Sequence, residues 1–131
     1  MGVVPTEGDE LARQLASVAG RSTLRITTRG RRTGKRHSVP IWFAVDGAKV
    51  VFGTLNAERD WVRNAKKNPE VELEVADLHL RGRFSVVTNG TQAAEVRRLI
   101  GGKYWIARIA SWFGFTSQEV FAVDELAPIA V

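Results

Sequence analysis

Apolar and polar residues alternate with a period of two along several short stretches of this sequence, and that alternation is typical of β-strands with one buried face. In the first stretch, Leu24, Ile26 and Thr28 alternate with more polar neighbours, and Asp46-Gly47 is a common hairpin turn between two later stretches. The pattern predicts about six mostly antiparallel strands, at residues 24–29, 37–45, 49–54, 70–75, 78–86 and 119–123.

Helical spacing of apolar residues appears in three further segments, 9–19, 60–68 and 91–100. Asp60 and Thr91 are the predicted N-caps, and Asn68-Pro69 is the predicted end of the second helix. Gly101-Gly102 is predicted to end the third helix before a last segment, Tyr104 to Phe113. Short antiparallel connections with helices at the start, middle and end predict an α+β fold, a small curved sheet or barrel with helical flanks.

The composition of the chain limits both the number of domains and the kinds of reaction that the protein could catalyse. A chain of 131 residues with 44% hydrophobic content predicts a single domain, residues 1–131, with one core. The sequence contains no cysteine, which excludes disulfides, zinc-thiolate sites and a thiolate nucleophile, and its two histidines make a metal centre an unexpected feature. Neither a signal peptide nor a membrane-spanning run is evident, so the expected compartment is the cytoplasm, without stable membrane insertion.

Positive charge is concentrated in one part of the chain. The net charge is +5, and the segment Leu11–Val45 contains eight lysines and arginines but no aspartate or glutamate. Seven of the eight lie between Arg21 and Arg36. A local positive field of this kind favours a small anionic ligand such as a phosphate.

The segment Thr27–His37 contains five of those eight bases, and two of its residues are glycines, Gly30 and Gly34. Glycine permits a positive φ and a close approach of the backbone to a ligand, turn amides bind anions, and guanidinium groups match phosphate geometry. The glycine spacing fits neither a P-loop nor a dinucleotide-binding fingerprint. The sequence therefore indicates a phosphate-binding turn, and the alternative is a solvated basic hairpin tip.

Trp61 lies near the start of the second predicted helix, about one turn from Asn64. Stacking on Trp61 and hydrogen bonds from Asn64 could hold a planar heterocycle. The alternative is that Trp61 belongs to the core and Asn64 to the surface.

The basic turn TTRGRRTGKR and the helix WVRNAKKNP, in that order, resemble the deazaflavin-dependent nitroreductase family, whose members are small split β-barrels that bind coenzyme F420. The resemblance extends over Leu24–Val75. It implies that Arg31, Arg32, Thr33 and Lys35 bind the phosphate and the acidic tail of the coenzyme. The full set of cofactor-binding residues that it implies is Arg31, Arg32, Thr33, Lys35, His37, Val39, Pro40, Gly53, Thr54, Leu55, Asn56, Trp61 and Asn64.

The resemblance also implies an oxidoreductase that transfers a hydride from the reduced deazaflavin to a quinone, a nitro compound or an activated alkene. Tyr104, the single tyrosine, is then the candidate catalytic residue. Trp105, Trp112 and Phe113 are candidates for the acceptor pocket, and core or dimer packing is the alternative for them.

Two other functions fit the sequence. An FMN-binding split barrel of the pyridoxamine-phosphate-oxidase type would also use basic residues on adjoining strands to hold a phosphate. A basic barrel that binds nucleic acid is the second alternative, with Arg25, Arg29, Arg31, Arg36, Arg81 and Arg83 as its contacts. The preferred expectation is a small-molecule partner and no nucleic acid, with homodimer formation left open.

Overall fold

The computed structural model describes residues 7–105 and 119–129. In these ranges the chain forms three helices and one antiparallel sheet of seven strands. The helices are α1 (Glu7–Val18), α2 (Asp60–Lys67) and α3 (Gly90–Lys103). The strands are β1 (Leu24–Arg29), β2 (Arg36–Ile41), β3 (Ala44–Asp46), β4 (Lys49–Thr54), β5 (Glu70–Val75), β6 (Leu78–Val86) and β7 (Glu119–Pro128).

The strand order β2-β1-β5-β6-β7-β4-β3 requires the sheet to curl. Strands β2 and β3 occupy opposite edges, yet only Trp42 and Phe43 separate Ile41 from Ala44. Three residue steps span at most about 11 Å, whereas the edges of a flat seven-stranded sheet lie about 29 Å apart. The two edges must therefore approach each other, which gives the half-closed barrel expected of a split β-barrel and confirms the predicted α+β class.

The connection between β2 and β3 shows that one predicted strand is in fact two. The apolar run over residues 37–45 predicts a single strand, but the structure divides it into β2 and β3. The chain leaves one edge of the sheet after Ile41, buries Phe43 and pairs with the other edge from Ala44 onward. For this reason the structure has seven strands where the sequence predicts about six.

Helix ends account for the other differences. Asn89, and not Thr91, is the N-cap of α3, because its side chain accepts a hydrogen bond from the Gln92 amide at 3.0 Å. The same helix continues through Gly101-Gly102 to Lys103. Asp60 is the first residue of α2 and Arg59 occupies the N-cap position. Strand β7 extends beyond the predicted Val123 to Pro128.

The main core lies inside the curled sheet. Phe43, Phe52 and Phe121 are fully buried there, and Leu15 of α1 packs against the same cluster. On the other face of β4 and β7, Val51 and its neighbours pack against α3 and form a second, smaller cluster. Helix α2 packs against β1 and β6, which brings it beside the turn between β1 and β2.

Candidate functional site

The turn between β1 and β2, residues 30–35, is closed by its own backbone. The Gly30 amide donates to the Lys35 carbonyl at 2.7 Å, and the Gly34 amide donates to the Gly30 carbonyl at 2.8 Å. Gly34 adopts φ +71°, a conformation that a residue with a side chain rarely takes. The hydroxyl of Thr33 accepts from the Lys35 amide at 3.2 Å. The turn is thus a compact, hydrogen-bonded loop, and we call it the basic turn.

Gly30 is where two polar side chains approach the backbone. A Cβ atom placed on Gly30 would lie 2.9 Å from Thr33 Oγ1 and 3.4 Å from His37 Nε2. A contact of 2.9 Å is shorter than real Cβ atoms show, so an alanine at this position would displace the Thr33 hydroxyl. The absence of a side chain therefore lets Thr33 and His37 converge above Gly30.

Helix α2 is bound to the basic turn mainly through Arg31. The Oδ1 atom of Asn64 accepts the backbone amide of Arg31 at 3.1 Å and its guanidinium Nη1 at 2.7 Å. The Nη2 atom of Arg31 donates to Asp60 Oδ1 at 3.3 Å. A fourth contact joins Asn68 Nδ2 to the Arg29 carbonyl at 3.4 Å. These contacts fix the helix against residues more than 25 positions earlier in the chain.

Trp61 occupies the boundary between the core and the surface at the start of α2. Its ring is half-buried and packs against the core, with ring centroids 5.9 Å from Phe52 and 6.0 Å from Phe121. Val39 of β2 is likewise half-buried and packs against the same core. Two apolar side chains therefore face the space between β2 and α2 from opposite sides.

The basic turn, β2 and α2 enclose a cleft of about 530 Å³. It is lined by Gly30, Arg31, Arg32, Thr33, His37, Ser38, Val39, Arg59, Asp60, Trp61 and Asn64. The charged residues of this lining are three arginines and one aspartate, so the cleft is electropositive. A second, more open cleft of about 630 Å³ shares Arg31 as a wall and is lined by further basic residues, Arg63, Lys66 and Lys67.

Seven of the predicted cofactor-binding residues line the first cleft: Arg31, Arg32, Thr33, His37, Val39, Trp61 and Asn64. Within the described residues, the other six predicted positions do not line it: Lys35, Pro40, Gly53, Thr54, Leu55 and Asn56. Thr54 instead shapes the connection to α2, because its hydroxyl bonds both the carbonyl and the amide of Asn56, at 3.0 and 3.1 Å. Leu55 is two-thirds exposed.

Tyr104 is not among the described residues that line the cleft, and it lies at the end of α3. Its hydroxyl donates to the Ser22 carbonyl at 2.6 Å and lies 3.2 Å from both the amide nitrogen and the carbonyl oxygen of Phe43. Its ring stacks on Trp42 with centroids 4.5 Å apart. Burial raises the pKa of the Tyr104 phenol, and the hydrogen bond with the Phe43 backbone offsets part of that rise. The phenol is therefore protonated near neutral pH and serves to join three chain segments.

The aromatic residues predicted for an acceptor pocket are only partly described. Trp105 is 63% exposed. Trp112 and Phe113 lie outside the described residues.

Four residues that line the cleft are absent from the predicted set of cofactor-binding residues: Gly30, Ser38, Arg59 and Asp60. Gly30 lies inside the segment Thr27–His37 already identified as phosphate-binding, and Ser38 follows that segment directly, so the glycine and the period of β2 could have indicated them. Arg59 and Asp60 depend on where the start of α2 docks, and no local pattern reveals that. In the ranges 7–105 and 119–129, no group of three or more metal-ligating side chains is present, and no helix is long and apolar enough to cross a membrane.

Comparisons with known proteins agree on the fold. A family model described as F420H(2)-dependent quinone reductase matches residues 4–111. A solved F420-H2 dependent reductase, FDR-A, superposes with a TM-score of 0.65 at 22% identity, covering 79% of this chain and 95% of that chain. A protein described as a domain-swapped dimer gives 0.66 at 20% identity, covering 88% and 94%. A candidate pyridoxamine 5'-phosphate oxidase from Listeria innocua gives 0.64 at 14% identity, covering 92% and 98%. No curated protein matches the sequence at significant similarity.

Proposed function

The chain belongs to the F420H(2)-dependent quinone reductase family, and on that premise we propose that it is an oxidoreductase that reduces a quinone in the cleft between the basic turn and α2. The cofactor that the family implies is coenzyme F420. The observation that carries this proposal is the convergence of Arg31 and Arg32 from the basic turn with Trp61 from α2 on one cleft. Nitro compounds and activated alkenes are proposed as further acceptors of the same type.

The residues of the cleft fit an anionic coenzyme with a planar ring. Arg31, Arg32 and the Thr33 hydroxyl would hold the phosphate, because guanidinium groups and a hydroxyl are donors of the kind that phosphate accepts. The missing side chain of Gly30 leaves room for Thr33 and His37 to converge at the cleft, where both would offer polar groups to the ligand. Val39 and Trp61 supply apolar walls that suit a flat heterocycle.

The chemistry that the coenzyme would supply when it is held by these residues is the donation of a hydride to the acceptor. The task of the protein is then to bind, orient and partly exclude water. A quinone that takes up a hydride also needs one proton to become a hydroquinone. The cleft is open to solvent, and we propose that water delivers this proton.

A fluorescence titration tests the proposal. The purified protein is titrated with coenzyme F420 and, in parallel, with FMN, and oxidation of the reduced F420 is then followed in a single turnover with a quinone, using F420 deuterated at the transferring carbon. We expect binding of F420 in preference to FMN and a primary isotope effect on the oxidation. Binding without any oxidation above background would make the chain a carrier of the coenzyme, and preferential binding of FMN would favour the alternative cofactor.

The FMN alternative is retained because a protein of the pyridoxamine-phosphate-oxidase type shares the fold over most of both chains. We propose it as the second function, with the same turn holding the phosphate of FMN. Homodimer formation is also proposed, since one structural neighbour is described as a domain-swapped dimer. Sedimentation velocity at several protein concentrations tests it directly.

We predict that Tyr104→Phe changes the rate of the single-turnover reaction by less than about tenfold, whereas general acid catalysis contributes typically 10² to 10⁴-fold. The reason is that the phenol already bonds Ser22 and Phe43 and is not among the described residues that line the cleft. The loss of its hydroxyl is expected instead to lower the free energy of unfolding by about 1 kcal/mol. A hundredfold slower reaction in the folded variant would identify Tyr104 as the proton donor.

A further inference from the structure

Asn64 is an unusual component of the cleft because it is polar, uncharged and almost completely buried. Asn64 is 5% exposed. Its Oδ1 atom accepts two hydrogen bonds from Arg31, one from the backbone amide and one from the guanidinium group. Two donors fill the usual capacity of an amide oxygen. The oxygen of Asn64 is therefore engaged within the protein and does not face a ligand.

The effect of these two bonds is to fix both ends of the Arg31 residue. An arginine on a surface turn ordinarily loses considerable rotamer entropy when it binds an anion. Here the Arg31 side chain is only 21% exposed and its guanidinium is held at Nη1 by Asn64 and at Nη2 by Asp60. Since a guanidinium carries five N–H donors, three remain for an anion in the cleft.

The two acceptors of Arg31 differ in charge and in exposure. Asn64 is neutral, so it orients the guanidinium without compensating its positive charge. Asp60 is charged, but its side chain is 86% exposed and its bond to Arg31 is the longer one, at 3.3 Å. Water and salt weaken such an exposed pair. An aspartate at position 64 would hold Arg31 equally well, yet it would place a buried negative charge beside the anion.

We propose that Asn64 is a positioning residue whose side-chain oxygen presents Arg31 to the anionic group of the ligand. This assignment differs from the role inferred from the sequence, in which Asn64 bonds a planar heterocycle. It rests on the proposed function for the identity of the anion, the phosphate of the coenzyme. The orientation of Arg31 itself is a property of the protein without ligand.

Three variants test this role. Asn64→Ala removes the acceptor, and Asn64→Asp keeps an acceptor oxygen but adds a charge. Asn68→Ala is the matched control, since Asn68 directly follows α2 and joins the end of this helix to the end of β1, through the Arg29 carbonyl, without a contact to Arg31. The first readout is the NMR signal of the Arg31 Nε–H, assigned by its absence in Arg31→Lys. The second is the affinity for inorganic phosphate, taken from the shift of that signal, and the third is the affinity for coenzyme F420 by fluorescence.

We expect Asn64→Ala to broaden or shift the Arg31 signal towards that of a solvated arginine and to weaken binding of both phosphate and F420 by about tenfold. In Asn64→Asp the Arg31 signal should stay near its position in the unmodified protein, while anion affinity falls by an amount that shrinks as salt is added. Asn68→Ala should leave all three readouts unchanged. If Asn64→Ala does not fold, the Asn64→Asp pattern decides alone, and a displaced Arg31 signal in that variant contradicts the proposal.

An unchanged Arg31 signal in Asn64→Ala contradicts the positioning role, and weaker F420 binding at the same time would make Asn64 a direct ligand contact. A failure of the proposed function would give results that differ from a failure of the positioning role. In that case the protein does not bind F420, but the Arg31 signal and the phosphate affinity still respond to the three variants as described.

Discussion

Replacing Arg31 and Arg32 together with alanine is expected to weaken the binding of coenzyme F420 by at least tenfold while the domain remains folded. Both arginines line the cleft, and each charge-assisted hydrogen bond to a phosphate contributes on the order of 1.5–3 kcal/mol. If the two contributions were independent, the loss would reach about a hundredfold or more. Tenfold is the lower limit because neighbouring contacts to one group are rarely additive.

The double variant should also lower the free energy of unfolding by about 1–2 kcal/mol, because Asn64 then loses the guanidinium of Arg31 as a hydrogen-bond donor. The backbone amide of residue 31 remains available to Asn64, and water can enter the cleft to replace the guanidinium. Fluorescence titration measures the affinity and urea denaturation measures the stability. Each is performed at low and high salt, since the difference between the proteins should diminish as charges are screened.

The matched control is the double variant Arg13→Ala and Arg98→Ala, which changes the net charge by the same amount. Arg13 and Arg98 are exposed residues that pair with Glu10 and Glu95 within their own helices. We expect this control to bind the coenzyme normally. Equal losses in the two double variants would mean that only the overall charge matters, and normal binding by the folded Arg31/Arg32 variant would exclude the basic turn as the anion site.

Trp61→Ala is the second change for which we expect a large effect, on both stability and affinity. The ring packs against the core and also lines the cleft. It contacts Phe52 and Phe121 on one side and lines the cleft on the other. Truncation of a buried aromatic costs about 3–5 kcal/mol, and we expect about 3 kcal/mol here because Trp61 is half-buried. Affinity for the coenzyme should fall about tenfold in the folded fraction, since the ring wall is lost.

Two further variants separate these effects. Trp61→Leu refills much of the volume against the core without restoring an aromatic face, so it should recover stability but not affinity. Val62→Ala lies on the same helix and is fully buried, and Val62 is not among the described residues that line the cleft. It should lose stability and keep normal affinity. A strongly destabilised Trp61→Ala with normal affinity would show that Trp61 is a core residue alone.

Much of the fold follows from local patterns in the sequence. The alternation in residues 24–29 and 70–86, together with the Asp46-Gly47 turn, correctly predicts antiparallel strands, because the two faces of a strand differ in their contact with water. The basic turn is equally local, since glycine and charge determine both its shape and its potential. Helix ends were less predictable, because Asn89 and Thr91 are both suitable caps, and only the structure shows that the Asn89 side chain accepts the bond from the Gln92 amide.

The cleft itself depends on contacts that no local pattern encodes. Arg31 and Asn64 are far apart in the sequence, and their hydrogen bonds exist because α2 packs across β1. Likewise, the apolar run over residues 37–45 has no signal for its division, since that division arises from the closure of the sheet between its two edges. By itself the sequence determined which segments form strands and where positive charge collects. Only the tertiary structure decided which side chains meet, because pairing between distant segments is set by the packing of the whole core.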